Sequence, residues 1–148
     1  MTKQISINTK LGWISAYENK GKLFKIEFKK LKEQKKSKVK INFKRKLVEF
    51  LNSKKKIKIP HSILGNKIQK KIWNELKKIK FGSTTTYGAL AKKYKLSPRY
   101  IGKICGQNKL PLIVPCHRVI KSDGTLGGFS AIGGVKLKKK ILKFEKFK

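Results

Sequence analysis

Residues 110–120 read Leu110-Pro111-Leu112-Ile113-Val114-Pro115-Cys116-His117-Arg118-Val119-Ile120. An apolar run delivers a cysteine directly after one proline and directly before a histidine. Proline fixes its own backbone angle and lacks an amide donor, so Pro115 presents Cys116 on stiff chain. A thiol is a weak nucleophile until it becomes thiolate, and a neighbouring base or positive charge is what makes it one. His117 is the next residue and could take the proton. Adjacency alone fits two arrangements equally: an activated nucleophile, or an inert buried cysteine beside a helix-capping histidine.

The flanks of this run are helical. Upstream, Ile68, Ile72, Trp73, Leu76 and Ile79 form a stripe that predicts a helix ending near Phe81-Gly82. Thr85 or Thr86 can cap a second helix carrying Leu90, Ala91 and Tyr94. A turn at Leu96-Ser97-Pro98 leads into a third, from about Arg99 to Cys105, with Pro98 suited to a helix start. Two helices joined by so short a turn read as a helix-turn-helix. Downstream, Val135, Leu137, Ile141, Leu142 and Phe144 predict a closing amphipathic helix over 134–147. Nearer the N-terminus the period changes. Ile5/Ile7, Trp13/Ile14/Ala16 and Leu23/Phe24/Ile26/Phe28 alternate between turn signals, which predicts a small antiparallel sheet. A helix over 42–52 follows, and Lys54–Lys58 with Pro60 reads as a charged linker. The expected fold class is therefore α+β. An N-terminal α/β domain, 1–59, carries the sheet, and a mainly helical C-terminal domain, 60–148, carries the helix-turn-helix and Cys116.

Forty Lys+Arg against seven Asp+Glu give a formal charge of +33. The basic residues run the whole length, 19 of them in 1–59 and 21 in 60–148. Such a charge favours a polyanion, and nucleic acid comes ahead of an acidic membrane because no long apolar span or amphipathic anchor stands out. A lysine-rich genome is the competing source of the charge. Only three basic residues are arginine, Arg45, Arg99 and Arg118, which suggests positions where a planar fork matters. Two cysteines, no signal-peptide pattern and no transmembrane run predict an intracellular, cytoplasmic protein with reduced thiols.

Longer context separates the two readings of Cys116. Pro-Cys-His-Arg-Val resembles the active-site motif of the O6-alkylguanine-DNA alkyltransferases, and the resemblance extends over roughly residues 66–147. Phe81-Gly82 followed by Thr86-Tyr87 matches the segment leading into that family's helix-turn-helix. Arg99 and Asn108 stand at the family's spacing before the cysteine. Gly124, Gly127, Ser130 and Gly133-Gly134 match its glycine-rich loop, with Ala131-Ile132 as a two-residue insertion, and Ile141-Leu142 with Glu145 matches its last helix. Residues 1–59 resemble the family only in size and strand pattern, where an RNase H-like sheet is implied. By the resemblance, Cys116 takes an alkyl group from O6 of an extruded guanine, His117 deprotonates the thiol through a water, and Glu145 orients His117. Tyr87 crowds the target phosphate and helps protonate the departing base. Arg99 enters the vacated stack. The resemblance further implies DNA contacts from Tyr87, Gly88, Arg99, Gly102, Lys103 and Ser122, with Tyr100 and Lys103 replacing smaller residues on the recognition helix. It implies a base pocket and its support from Asn108, Val114, Pro115, Arg118, Phe129, Ser130 and Gly133. No cofactor and no metal is implied. The implied partner is double-stranded DNA approached through the minor groove by a monomer on the nucleoid.

The bottom-up reading agrees at several points. A base inside a duplex cannot reach a protein thiol, so the chemistry requires flipping, for which a stacking arginine is suited. A recognition helix lying close to the minor groove needs small residues, and Gly102 is one. Three alternatives remain. A non-catalytic relative that binds alkylated DNA lacks the nucleophile, whereas Cys116 is present. A lysine-rich architectural protein accounts for the charge alone. Zinc held by Cys105, Cys116, His61 and His117 matches no finger or ribbon spacing. The charge predicts that affinity for undamaged duplex falls steeply with salt, by about a thousandfold between ~50 and ~200 mM if about six phosphates are neutralised. Binding that ignores ionic strength in a fluorescence-anisotropy titration would contradict it.

Overall fold

The computed structural model describes residues 2–32, 43–53, 56–129, 131 and 133–146. Strands β1 (Thr2–Thr9), β2 (Gly12–Asn19) and β3 (Lys22–Glu27) form one antiparallel sheet in that order. Its register pairs Ile5 with Ala16 and Ile7 with Ile14, and then Ala16 with Ile26. Alternation sends Ile7, Ile14, Ala16 and Ile26 into the core, and a register shift opposite Tyr17/Glu18 turns Leu23 inward as well. Helix α1 (Phe43–Ser53) buries Phe43, Leu47 and Phe50 at helical spacing. Phe50 meets Phe81 and Phe144 at ring separations of 5.5 and 6.0 Å, which joins the N-terminal region to the end of the chain.

The stretch expected to be a charged linker is partly a core element. Ile57 and Ile59 are buried, the Leu23 amide donates to the Pro60 carbonyl (3.0 Å) and the Ser62 amide to the Leu23 carbonyl (2.8 Å). Ile57-Lys58-Ile59 alternates like a strand, and this segment docks parallel along the edge of β3. The surrounding lysines hide that period in the sequence.

Helix α2 (Lys67–Leu76) opens on a capping box in which Asn66 and Gln69 satisfy each other's backbone amides. It closes at Leu76, short of the Phe81-Gly82 limit expected from the apolar stripe. Beyond it the amides of Lys78 and Ile79 bond three residues back, so tight turns prolong the apolar side without prolonging the helix. Trp73 donates its indole N–H to the Ile104 carbonyl (3.0 Å) and so fixes α2 against α4 (Pro98–Gly106).

Between these helices, β4 (Thr85–Thr86) pairs in parallel with β5 (Val119–Ile120), a ladder that periodicity did not reveal. Two-residue strands carry no pattern. Thr86 then caps α3 (Tyr87–Tyr94) by accepting the Ala89 amide. Lys95 turns the chain in the left-handed region, and Ser97 caps α4 with Pro98 in its first turn. Cys116 occupies a single 3-10 turn, Cys116–Arg118, with β5 starting only afterwards. The two prolines of 110–115 remove the amides that a longer ladder would need. Helix α5 (Gly134–Lys146) completes the fold. Among the described residues, no helix is long and apolar enough to cross a membrane.

Candidate active site

The site is built around one carboxylate. Glu145 on α5 is 2% exposed, and its Oε1 accepts from His117 Nε2 (2.7 Å) and Arg118 Nη2 (2.8 Å). Arg118 Nε adds a bond to Oε2 (3.0 Å), while Nη1 donates to the Ile79 carbonyl (2.8 Å) and the guanidinium lies over the Phe81 ring. Burial alone would push the Glu145 carboxyl up, but the bonds from His117 and Arg118 outweigh it and hold the group below the ordinary glutamate range. Burial also pushes His117 below its usual value, against the pull of Glu145. The imidazole is therefore neutral near pH 7. With its Nε2–H given to the carboxylate, the lone pair stays on Nδ1, which is buried and has no protein partner among the described residues.

Cys116 follows Pro115 at the start of this turn and is buried. Asn108 supplies both of its amide N–H groups here, one to the Val114 carbonyl (2.8 Å) and one to Cys116 Sγ (3.2 Å), while its Oδ1 accepts the Leu110 amide (2.9 Å). Burial raises the thiol above its ordinary value, opposed by the Asn108 bond and by the positive charge of Lys138. The sulfur thus needs a base to ionise at neutral pH, and groups that stabilise the thiolate are in place.

Lys138 is a residue of the site that the sequence did not single out. It is fully buried, and its ammonium donates to the Val119 carbonyl (2.7 Å), the Tyr87 hydroxyl (3.2 Å) and the Gly128 carbonyl (3.2 Å). Three donors meet three acceptors. Burial pushes the Tyr87 phenol up to about 12, so it stays protonated as a donor. The signal for Lys138 lay in its spacing: Lys138, Leu142 and Glu145 are four and three residues apart on one helical face. Abundant neighbouring lysines masked it.

A cavity of about 710 Å³ opens above the sulfur. Of the residues singled out from sequence, Tyr87, Gly88, Arg99, Gly102, Cys116, Ser122, Gly127 and Phe129 line it, joined by Cys105, Lys121 and Gly128. Two glycines are required by the geometry. A Cβ on Gly88 would lie 2.6 Å from Ser122 Oγ, and Gly127 has φ +73 with the Tyr87 ring 3.1 Å from the position of its Cβ. Lys103 is exposed on α4 outside this lining. Val114 and Pro115 are buried just before Cys116 in the chain, and Pro115 and Arg118 wall a separate cleft. Gly133 packs on Leu137 at the start of α5. Ser130 and Ile132 lie outside the described residues.

Glu145→Ala would leave the buried Arg118 cation uncompensated, and the expected loss of stability is about 3–5 kcal/mol by chemical denaturation. Because the folded carboxyl sits below its unfolded value, the stability it contributes is complete above the ordinary glutamate range and drains away as pH falls through and below it. The parent should therefore lose stability on acidification more steeply than Glu145→Ala. Parallel pH profiles would sink this account.

Comparison with known proteins places this geometry. A family model described as 6-O-methylguanine DNA methyltransferase, DNA binding domain, matches residues 67–147. A methylated-DNA–protein-cysteine methyltransferase of Methanocaldococcus vulcanius is 46% identical over 90 residues, 61% of this chain and 54% of that protein. The chain spans about half the length of the curated relatives it matches. The O6-methylguanine-DNA methyltransferase from Pyrococcus kodakaraensis superposes with a TM-score of 0.76 at 25% identity, covering 98% of this chain and 99% of that one. Mycobacterium tuberculosis OGT, solved in complex with DNA, superposes with a TM-score of 0.83 at 22% identity over 97% of this chain and 93% of that one, a likeness of fold. The matched segment contains the Cys116 turn, the Asn108 and Glu145 partners of that turn, and both helices beside the cavity, and the chain belongs to the 6-O-methylguanine DNA methyltransferase family.

Proposed function

We propose that this chain repairs DNA by taking an alkyl group from O6 of guanine onto Cys116, once per molecule. The observation that carries the reading is a cysteine at the floor of a base-sized cavity, with its sulfur accepting from Asn108 and a neutral, carboxylate-held histidine next in the chain. Relatives bearing the name methylated-DNA–protein-cysteine methyltransferase support it.

In this reading His117 Nδ1 receives the thiol proton through a water, and Glu145 offsets the imidazolium charge that forms. The S–C bond forms as the C–O6 bond breaks, and the electron pair departs with the guanine. The Tyr87 hydroxyl, held by the Lys138 ammonium, donates a proton to the departing base. The product is a thioether, which water does not cleave under mild conditions, so the protein is spent. No cofactor and no metal enters. Arg118 acts by fixing Glu145, and Asn108 by fixing the sulfur and the Val114 carbonyl. Phe129 and the Gly127-Gly128 backbone give a purine flat walls, with Ser130 and Gly133 as further members of the loop.

The finer parts of the proposal concern DNA. Helices α3 and α4 act as a helix-turn-helix that enters the minor groove of a duplex as a monomer. Gly102 permits close approach, while Gly88, Lys103, Ser122 and the Tyr87 edge contact backbone. The target base is flipped, Arg99 fills the gap, and O4-alkylthymine is a second substrate of the same geometry. Residues 1–59 form a supporting domain for the alkyltransferase domain 60–148, and the protein works in the cytoplasm on nucleoid DNA.

The deciding experiment is incubation with a methylguanine duplex followed by intact mass and peptide mapping. One added methyl group on Cys116, absent in Cys116→Ser while DNA binding persists, is the expected outcome. DNA binding without any adduct would instead indicate a non-catalytic alkylated-DNA binder.

Arg99 is testable apart from the chemistry. Unstacking costs about a few kcal/mol, which a stacked guanidinium can offset and a lysine cannot. Arg99→Ala should slow repair of duplex about tenfold or more, with Arg99→Lys recovering only part, where tenfold corresponds to about 1.4 kcal/mol. Reaction with free benzylguanine, which needs no flipping, should be nearly unchanged. Equal losses on duplex and free base would remove Arg99 from this role.

A further inference from the structure

The proposed mechanism leaves one buried nucleophile unused. Cys105 sits at the end of α4, is 6% exposed, and lines the same cavity as Cys116, and these are the chain's two cysteines. Asn108 spans the pair: its backbone amide donates to the Cys105 carbonyl (3.2 Å) and its side chain to Cys116 Sγ (3.2 Å). Ionisation of either thiol would raise the pKa of both Tyr87 and Lys138. Burial pushes the Cys105 thiol up to about 12, so it rests protonated at neutral pH. The turn after Cys105 is closed by single three-residue bonds, Gln107 amide to Ile104 carbonyl (3.1 Å) and Asn108 amide to Cys105 carbonyl.

We propose that Cys105 is a modification site, the resolving thiol that closes an intramolecular disulfide with Cys116 when hydrogen peroxide oxidises the nucleophile. In the first step the Cys116 thiolate attacks a peroxide oxygen, the O–O bond breaks, and the sulfur becomes a sulfenic acid while the peroxide's other oxygen leaves as water with the thiol proton. In the second, the Cys105 thiol passes its proton to the sulfenic oxygen as its sulfur attacks Cys116 sulfur, the S–S bond forms, the S–O bond breaks, and that oxygen leaves as water. Two thiols are oxidised by two electrons and one peroxide is reduced to two waters. The cross-link holds the single-use cysteine in a form that a dithiol restores, ahead of further oxidation to sulfinic acid, which a dithiol does not reverse. The inference requires only a reactive Cys116, and its readout is a mass, so it stands or falls separately from alkyl transfer.

The test uses the full chain treated with a several-fold molar excess of hydrogen peroxide, quenched with N-ethylmaleimide and examined by intact mass and peptide mapping. The expected result is loss of two hydrogens, no maleimide on either cysteine, a linked Cys105–Cys116 peptide, and recovery of both thiols with dithiothreitol. In Cys105→Ser and Cys105→Ala, Cys116 should instead gain two oxygens that dithiothreitol does not remove. Sulfinic acid on Cys116 in the parent at the same peroxide level, or disulfides that join two chains on a non-reducing gel, would overturn the proposal. The parent decides the matter by itself if either variant misfolds.

Discussion

Everything at the reactive end of this molecule depends on the Glu145 carboxylate being charged while buried. A lone buried carboxylate would take up a proton, since desolvation penalises the charged form. Here Arg118 supplies a fixed opposite charge through a forked guanidinium and His117 supplies a further donor. The same bonds tie the last helix to the turn that carries Cys116. Removing any of the three partners leaves a buried polar group unmatched, which is why the arrangement specifies one geometry. It also sets the histidine tautomer, since the ring nitrogen facing away from Glu145 keeps the lone pair.

Acidic residues are scarce in this chain, seven in 148, and several act as structural locks. Glu75 on α2 accepts from Tyr94 (2.7 Å) and Lys93 on α3 and from Lys78, which holds its carboxyl near 2 and joins the two helices. Glu27 accepts from Tyr17 (2.6 Å) within the sheet. The excess of lysine is left for solvent and, in the proposed function, for phosphate. Lys138 is the exception, because three acceptors replace the water it has lost.

The secondary elements were legible where a period was long and clean. The sheet follows from alternation in Ile5–Ile7, Ile14–Ala16 and Leu23–Phe28, and α4 from Ser97-Pro98 and its apolar stripe. The pattern failed where tertiary contacts set the conformation. Ile57 and Ile59 become buried only because the β3 edge offers Leu23 as a partner, and α2 stops at Leu76 although its apolar side runs on through turns. The β4/β5 ladder is too short to carry any period and exists because it docks the Cys116 turn beside the start of α3.

The sequence by itself singled out the candidate nucleophile, its stiff proline-led presentation, the neighbouring histidine and the candidates Asn108, Tyr87, Arg99 and Glu145, because these lie in or at fixed spacing from one compact motif. Local chain chemistry is enough to place a residue type beside another in sequence. Only the tertiary structure decided that Arg118 turns away from the cavity to lock Glu145, and that Lys138 is buried against Tyr87. It also brought Cys105 into the same cavity as Cys116. The physical reason is that a charged side chain's role depends on which distant acceptors replace its water, and those acceptors come from elements brought together only by packing α5 and α4 around the turn.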